Sequence, residues 1–384
     1  MSAPRIPMLV PSLPGRARDY LVECVETNWV SSVGPFVGRF EREFAERTGA
    51  EHAVACASGT AALHLILLAL GIGPGDEVLV SDLTFVASAN PVRHCGAEVT
   101  LVDSETRTWN LDPALVLDEL TRRRRSGGRL PAAIVAVDVL GQPADLAPLL
   151  SAATDMGIPV IEDAAEALGA RWTAGALAGH HAGTPARAGF FSFNGNKIIT
   201  TGGGGMVVTG DGHLAARVRH LSTQARVGPD FDHDEVAYNY RLVNVCAALG
   251  VAQLECLDDF LARKRAIAAA YDERFAAVEA VTPPPLVPGM ERSGWLYTIL
   301  LADRTMRDDV RAALAAHGIE TRPLWTPLHL LRPYEGARVI GGGATAAALS
   351  ARGLSLPSSV SLTDPELDEV ADRILDRVRG RAVA

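Results

Sequence analysis

The chain has no Cys-x-x-Cys pair. Its five cysteines (Cys24, Cys56, Cys95, Cys246 and Cys256) are odd in number, scattered, and mostly set among apolar residues. This favours reduced core thiols in a cytoplasmic protein over a disulfide framework, with a catalytic thiol as the weaker alternative. There is no basic excess either: the formal net charge is −9. That argues against a nucleic-acid partner, although a few local cations and helix N-termini could still hold an anionic small molecule. Long apolar runs are missing too. The stretch around Ala61–Leu70 is short and interrupted by His64, and Met-Ser-Ala-Pro-Arg-Ile-Pro-Met-Leu-Val lacks the apolar core of a secretory signal. No membrane span or leader is therefore expected. Both common nucleotide fingerprints, Gly-x-x-x-x-Gly-Lys-Ser/Thr and Gly-x-Gly-x-x-Gly opening a helix, are absent as well.

What is present is an ordinary globular balance over 384 residues, 48% hydrophobic and 21% charged, enough for two or three domains. Short β-rich runs alternate with helical patterns through the first two thirds. Strands are expected at Ala53–Cys56, Glu77–Val80, Glu98–Asp103, Ala132–Val139, Pro159–Asp163, Phe190–Phe193 and Met206–Thr209. Helices are expected at Ala61–Leu70 and Phe85–His94. This alternation predicts an α/β fold with a mostly parallel central sheet sandwiched by helices. Helical signals then dominate at Ala247–Asp259 and Lys264–Phe275, followed by Pro283-Pro284-Pro285 and a strand at Trp295–Leu301. Residues 1–250 accordingly read as a large domain, and 251–384 as a long helix with a smaller α/β C-terminal domain. The last helix opens at Thr363-Asp364-Pro365-Glu366, a capping-box spacing. Arg122–Arg125 reads as solvated charge at a helix end.

Sheets of this kind bind ligands at the carboxyl ends of their strands. Asp163 ends one strand, and Lys197 follows after the next, just before the glycine run Gly202–Gly205. Ser58-Gly59-Thr60 lies between a strand and a helix, where free amides and the helix dipole favour an anion. Ser192 alternates with Phe191 and Phe193 and should point away from them. Taken together these residues match the needs of pyridoxal 5′-phosphate: an amine for a Schiff base, an acid for the pyridine nitrogen and an anion site for the phosphate. Each also has a plainer alternative. Asp163 could cap the following turn, Lys197 could be an exposed loop lysine, and Ser58 could be a simple N-cap.

In this order the segments resemble the DegT/DnrJ/EryC1/StrS family of sugar aminotransferases. The matching stretches include Asn28-Trp29-Val30-Ser31-Ser32-Val33-Gly34-Pro35, Ser58–His64, Gly73–Val78, Thr84-Phe85-Val86-Ala87, Ile161–Gly169, Phe191-Ser192-Phe193, Lys197, Tyr238-Asn239-Tyr240-Arg241 and Ala252–Glu255. The resemblance implies a fold-type-I pyridoxal-phosphate enzyme with Lys197 as Schiff-base lysine and acid/base, and Asp163 on the pyridine nitrogen. Phe85 would stack on the ring, with Glu166 close to it. Gly59, Thr60 and Ser192 would hold the phosphate, joined by Asn239 from a second subunit of an obligate homodimer. Trp29, Ser31, Arg322, Trp325 and His329 are candidates to touch the substrate; no metal is assigned.

Three departures from the common family pattern are Glu166, the run Gly202–Gly205 and Ser222-Thr223-Gln224-Ala225. They resemble a subgroup acting on nucleotide-linked 4-keto-6-deoxysugars, with glutamate as the implied amino donor. The intact Lys197 speaks against the dehydratases of the family. Amination of a cyclitol ketone or a non-nucleotide ketosugar is the alternative within the enzyme class, and a non-catalytic regulatory member the alternative outside it.

Overall fold

The computed structural model describes residues 4–382. Eight strands form one sheet in the order His52–Cys56, Gly205–Thr209, Ala188–Ser192, Val160–Asp163, Ala133–Val137, Glu77–Ser81, Glu98–Val102 and Val339–Ile340. Gly205–Thr209 runs antiparallel to both neighbours, and the remaining pairings are parallel. The central strands are buried along nearly their whole length, as helices covering both faces require: Ala133–Val137 is wholly apolar and Gly205–Thr209 nearly so, while Val160–Asp163 ends in the buried carboxylates Glu162 and Asp163.

One face packs under Pro35–Thr48 and Asn244–Glu255, through Phe40, Phe44, Ala247 and Val251. The other is covered by Gly59–Ala69 and Gly212–Ser222, through Leu63, Leu65, Ile66 and Val218. Gly59–Ala69 is apolar all round and is buried accordingly. A second sheet, Val281–Thr282, Tyr297–Leu301, Gly353–Leu356 and Arg322–Pro323, is antiparallel and packs with Arg304–Ala316 and Asp364–Ala382. The 19-residue helix Leu257–Phe275 links the two bodies: Phe260 and Leu261 join the large core, and Ile267, Tyr271 and Phe275 join the small one. Among the described residues no helix is long and apolar enough to cross a membrane.

Several expectations change. The helix expected over Phe85–His94 is instead a single 3₁₀ turn, Val86–Ser88, followed by the short helix Asn90–His94. Pro91 explains the break, because it lacks the N–H that a helix running through it would need. Phe85 itself is extended. The helical signals after residue 243 resolve into Asn244–Glu255 and Leu257–Phe275, interrupted at Cys256. Arg123 is not solvated charge: it is buried, 2.6 Å from Glu119 and 2.8 Å from Glu77. Two pairings join residues on either side of position 250. Val339–Ile340 extends the large sheet beside Leu101 and Val102, while Ile6 pairs with Ile319. The capping box forms as expected, with Thr363 N donating to Glu366 Oε2 at 2.9 Å. All five cysteines are free.

Candidate active site

Strand register sets the floor of the site. Val137 lies beside Asp163, and Asp163 beside Phe190, so three strands end together at one edge of the sheet. The loop after His52–Cys56 arrives at the same edge. There Ser58 is extended and its Oγ accepts the Ala61 amide at 3.0 Å, so the plain N-cap is real. It takes up only that one amide. The earlier amides of the turn have no intrahelical partner, and Gly59 and Thr60 border the cavity. Close approach here depends on glycine. A Cβ on Gly205 would fall 2.5 Å from the Ser58 carbonyl oxygen, and one on Gly59 would sit 3.0 Å from Ser192 Cβ. Phe191 and Phe193 point into the core, leaving Ser192 on the cavity side.

Asp163 is buried. Its Oδ2 accepts from Ser88 Oγ at 2.7 Å and its Oδ1 from the Ala165 amide at 3.1 Å. Thr84 Oγ1, 2.7 Å from Ser88 Oγ, completes the relay. Burial pushes the Asp163 carboxyl above its ordinary range, and the Ser88 and Ala165 bonds and the Lys197 charge pull it back. Glu166 is pushed up to about 7, chiefly by burial and against the pull of Lys197. Its Oε1 accepts from Lys197 Nζ at 3.1 Å and its Oε2 from the Leu140 amide at 2.9 Å. Leu140 makes that bond from a left-handed conformation, φ 57°, which costs an L-residue about 1–2 kcal/mol. Lys197 Nζ also sits 4.1 Å from the centroid of the Trp295 ring, a cation–π distance.

These groups line one cavity of about 460 Å³. Gly59, Thr60, Phe85, Asp163, Glu166, Ser192 and Lys197 all border it, as do Arg322 and Trp325. Phe85 is 55% exposed, so one flat aromatic face is left uncovered at the cavity wall. Trp325 lies 6.4 Å from Phe85 and 6.3 Å from Trp295, ring to ring. Arg322 is exposed and pairs with Glu320 at 2.9 Å.

Other candidates lie elsewhere. Asn239 is exposed, bridged to Thr223, and does not border its own chain's cavity. Trp29 and Ser31 are exposed, and their carbonyls accept from Asn244 at 2.8 and 2.6 Å. His329 is held just beyond the carboxyl end of the strand Glu77–Ser81: its Nδ1 is 2.6 Å from Asp82 Oδ2, and its amide donates to Asp82 Oδ1. Tied to a fully buried carboxylate, His329 anchors its loop and is absent from the cavity lining. The sequence reading missed Ser88, Trp295 and the Leu140 amide. Each acts across a long chain separation, and only the hydroxyl-rich Thr84–Ser88 stretch carried a local signal.

The fit to pyridoxal phosphate rests on four features of this cavity: an amine, a buried acid, an uncovered aromatic face and a glycine-walled turn of amides. Fold and cavity together define a fold-type-I pyridoxal-phosphate-dependent transferase. More narrowly, the chain belongs to the DegT/DnrJ/EryC1/StrS aminotransferase family, whose profile matches residues 12–375. It is 42% identical over 372 residues to a GDP-perosamine synthase of Caulobacter vibrioides, covering 96% of each chain. It is 38% identical over 370 residues to a GDP-perosamine synthase of Escherichia coli O157:H7, covering 96% of this chain and 97% of the other. A solved DegT/DnrJ/EryC1/StrS aminotransferase from Brucella abortus superposes with a TM-score of 0.87 at 30% identity, covering 94% of this chain and 95% of that one.

Proposed function

We propose that the protein converts a nucleotide-linked 4-keto-6-deoxysugar to the aminosugar, with glutamate as amino donor. The observation that carries this reading is the convergence of Lys197, Glu166 and Asp163 with the Ser58–Thr60 turn in one cavity. The similarity to two proteins named GDP-perosamine synthase supports a sugar carried on a nucleoside diphosphate.

When bound, pyridoxal phosphate supplies the electron sink that makes loss of a proton from the amine-bearing carbon accessible. The chain's own residues do the rest. Lys197 Nζ would hold the cofactor and, once free, would move the proton from that carbon to the carbon on the other side of the nitrogen, the 1,3-shift that transamination requires. Glu166, 3.1 Å from Nζ, fixes the amine's position and answers its charge. Asp163, oriented by Ser88 and Ala165, keeps the pyridine nitrogen protonated. Gly59, Thr60 and Ser192 take the phosphate at a helix N-terminus. Phe85 covers one ring face.

The working unit is a homodimer in which the exposed Asn239 of one copy completes the phosphate site of the other. Residues 1–250 form the cofactor-binding domain, to whose sheet Val339–Ile340 returns, and 251–384 the long helix and the smaller domain, which borders the cavity through Arg322 and Trp325. Five unpaired cysteines support a reducing, cytoplasmic setting.

The test is to load the protein with pyridoxamine phosphate and add ketosugars singly. Return of the pyridoxal-form absorbance with a nucleotide-linked 4-keto-6-deoxysugar is the expected result. A response confined to free ketosugars or cyclitol ketones would move the assignment to that alternative. No response to any ketone would remove the enzymatic reading.

A further inference from the structure

Lys264 is buried in the middle of the helix Leu257–Phe275, in the stretch where that helix passes from the large core to the small one. Its Nζ donates to two backbone carbonyls of the small domain, Trp295 at 2.9 Å and Ser358 at 2.5 Å. Among the described residues no carboxylate borders the roughly 20 Å³ void beside it. The other charged residue there is Arg292, which is engaged with Asp272 at 2.6 Å. A buried amine without a counter-ion is costly unless its donors are satisfied, so this placement needs a reason. Burial drives the Lys264 amine down to about 7, and a neutral amine has two N–H groups, matching the two carbonyls.

The segment that Lys264 grips is the one that contacts Lys197 and its carboxylate partner. Ser293 Oγ donates to the Glu166 carbonyl at 2.7 Å and accepts the Trp295 amide at 3.2 Å. The Ser293 amide bonds the Gly141 carbonyl at 2.9 Å, next to the strained Leu140 that donates to Glu166. The Trp295 indole N–H donates to the Asn196 carbonyl at 2.6 Å, and its ring lies beneath Lys197 Nζ. Within three residues of chain, Ser293 thus reaches Glu166 and Trp295 reaches Lys197. Gly294 between them has φ 71°, a left-handed conformation that favours glycine, and it packs against the Lys264 carbonyl, which a Cβ would meet at 3.4 Å.

We propose that Lys264 is a positioning residue for Lys197: by holding the Trp295 and Ser358 carbonyls, it fixes the Ser293–Trp295 segment against the Lys197 amine and Glu166. It touches neither cofactor nor substrate and acts through Trp295. The inference rests on the assignment of Lys197 as the lysine that holds the cofactor.

The experiment follows the absorbance of the cofactor-loaded protein against pH in the parent, K264M, W295F and the double variant. K264M keeps the length and apolar stem but removes the donors. Displacement of the titration midpoint by about one pH unit is expected in K264M, with a similar displacement in W295F. The double variant should show no further change, as expected when two residues act along one line. K264R, which keeps N–H donors, should remain nearer to the parent. A K264M protein with a lower melting temperature but the parental midpoint overturns the proposal, and so do displacements in K264M and W295F that simply add. If K264M does not fold, K264Q, whose amide can still reach one carbonyl, is read in the same way. A parent protein that shows no lysine-bound cofactor band would instead overturn the Lys197 assignment.

Discussion

Ser88 and Asp163, 75 residues apart in the chain, meet at 2.7 Å, with the serine hydroxyl donating to a carboxylate that is almost wholly buried. Thr84 stands behind Ser88 and fixes the direction of that hydroxyl. The pair determines how readily Asp163 stays ionised in a site where burial opposes ionisation. In S88A that opposition is no longer countered on one oxygen, which costs about 1.5 kcal/mol. Cofactor should then be held roughly tenfold less tightly, measured by absorbance titration of the apoprotein. Unchanged affinity would detach Ser88 from the site.

Glu166 yields a pH prediction. Its folded-state pKa of about 7 is raised above the ordinary carboxyl value of 4.5. The folded state therefore holds this proton more tightly than the unfolded state does. The associated stability is fully present below about 4.5 and is lost as pH rises through about 7. E166Q, which cannot ionise, should gain on the cofactor-free parent across that window by on the order of 3 kcal/mol. Urea midpoints of both proteins from pH 4.5 to 8 give the answer. A constant gap between them would mean that Glu166 does not titrate there.

Gly205 faces the Ser58 carbonyl so closely that a methyl group has no room. G205A should lower stability by about 1–3 kcal/mol, the usual cost of overpacking, and push the Ser58–Thr60 turn outward. Calorimetry would report the first effect and phosphate-dependent cofactor retention the second. A variant with parental stability and affinity would show that the turn tolerates displacement.

Asn239 allows a complementation test. If it serves a neighbouring copy, K197A and N239A chains should each be deficient as homodimers. Mixed dimers would contain one site with both lesions and one with neither. With random exchange half the dimers are mixed, so about a quarter of parental activity should return. No recovery after verified subunit exchange would place Asn239 outside the shared site.

What could be read from the sequence was whatever the chain builds locally. Each strand of the large sheet before residue 210 lies within one or two residues of its expected position, because buried parallel strands are short apolar runs closed by turns. Ser58–Thr60 and Ser192 were legible for the same reason, as a strand end or strand-to-helix turn reports its own geometry. The buried Arg123 was not, since its partner Glu77 lies 46 residues away and a run of arginines looks solvated from sequence alone. Trp295 reaches Lys197 only through the packing of the small domain, and the Leu140 amide reaches Glu166 only because a leucine adopts a left-handed turn. His329 was read with a substrate contact and a structural role both open, and its partner Asp82, 247 residues away, carries no local signal.

The two-residue strand Val339–Ile340 lies on the outer edge of the large sheet, bonded to Leu101 and Val102. During synthesis the edge at Glu98–Val102 stays bare until more than 230 further residues have emerged (339 − 102 = 237). An unpaired strand of this kind invites pairing with other chains. Sealing the edge is thus a late event in folding, and the quantity it governs is the yield of native protein rather than the rate of any chemical step.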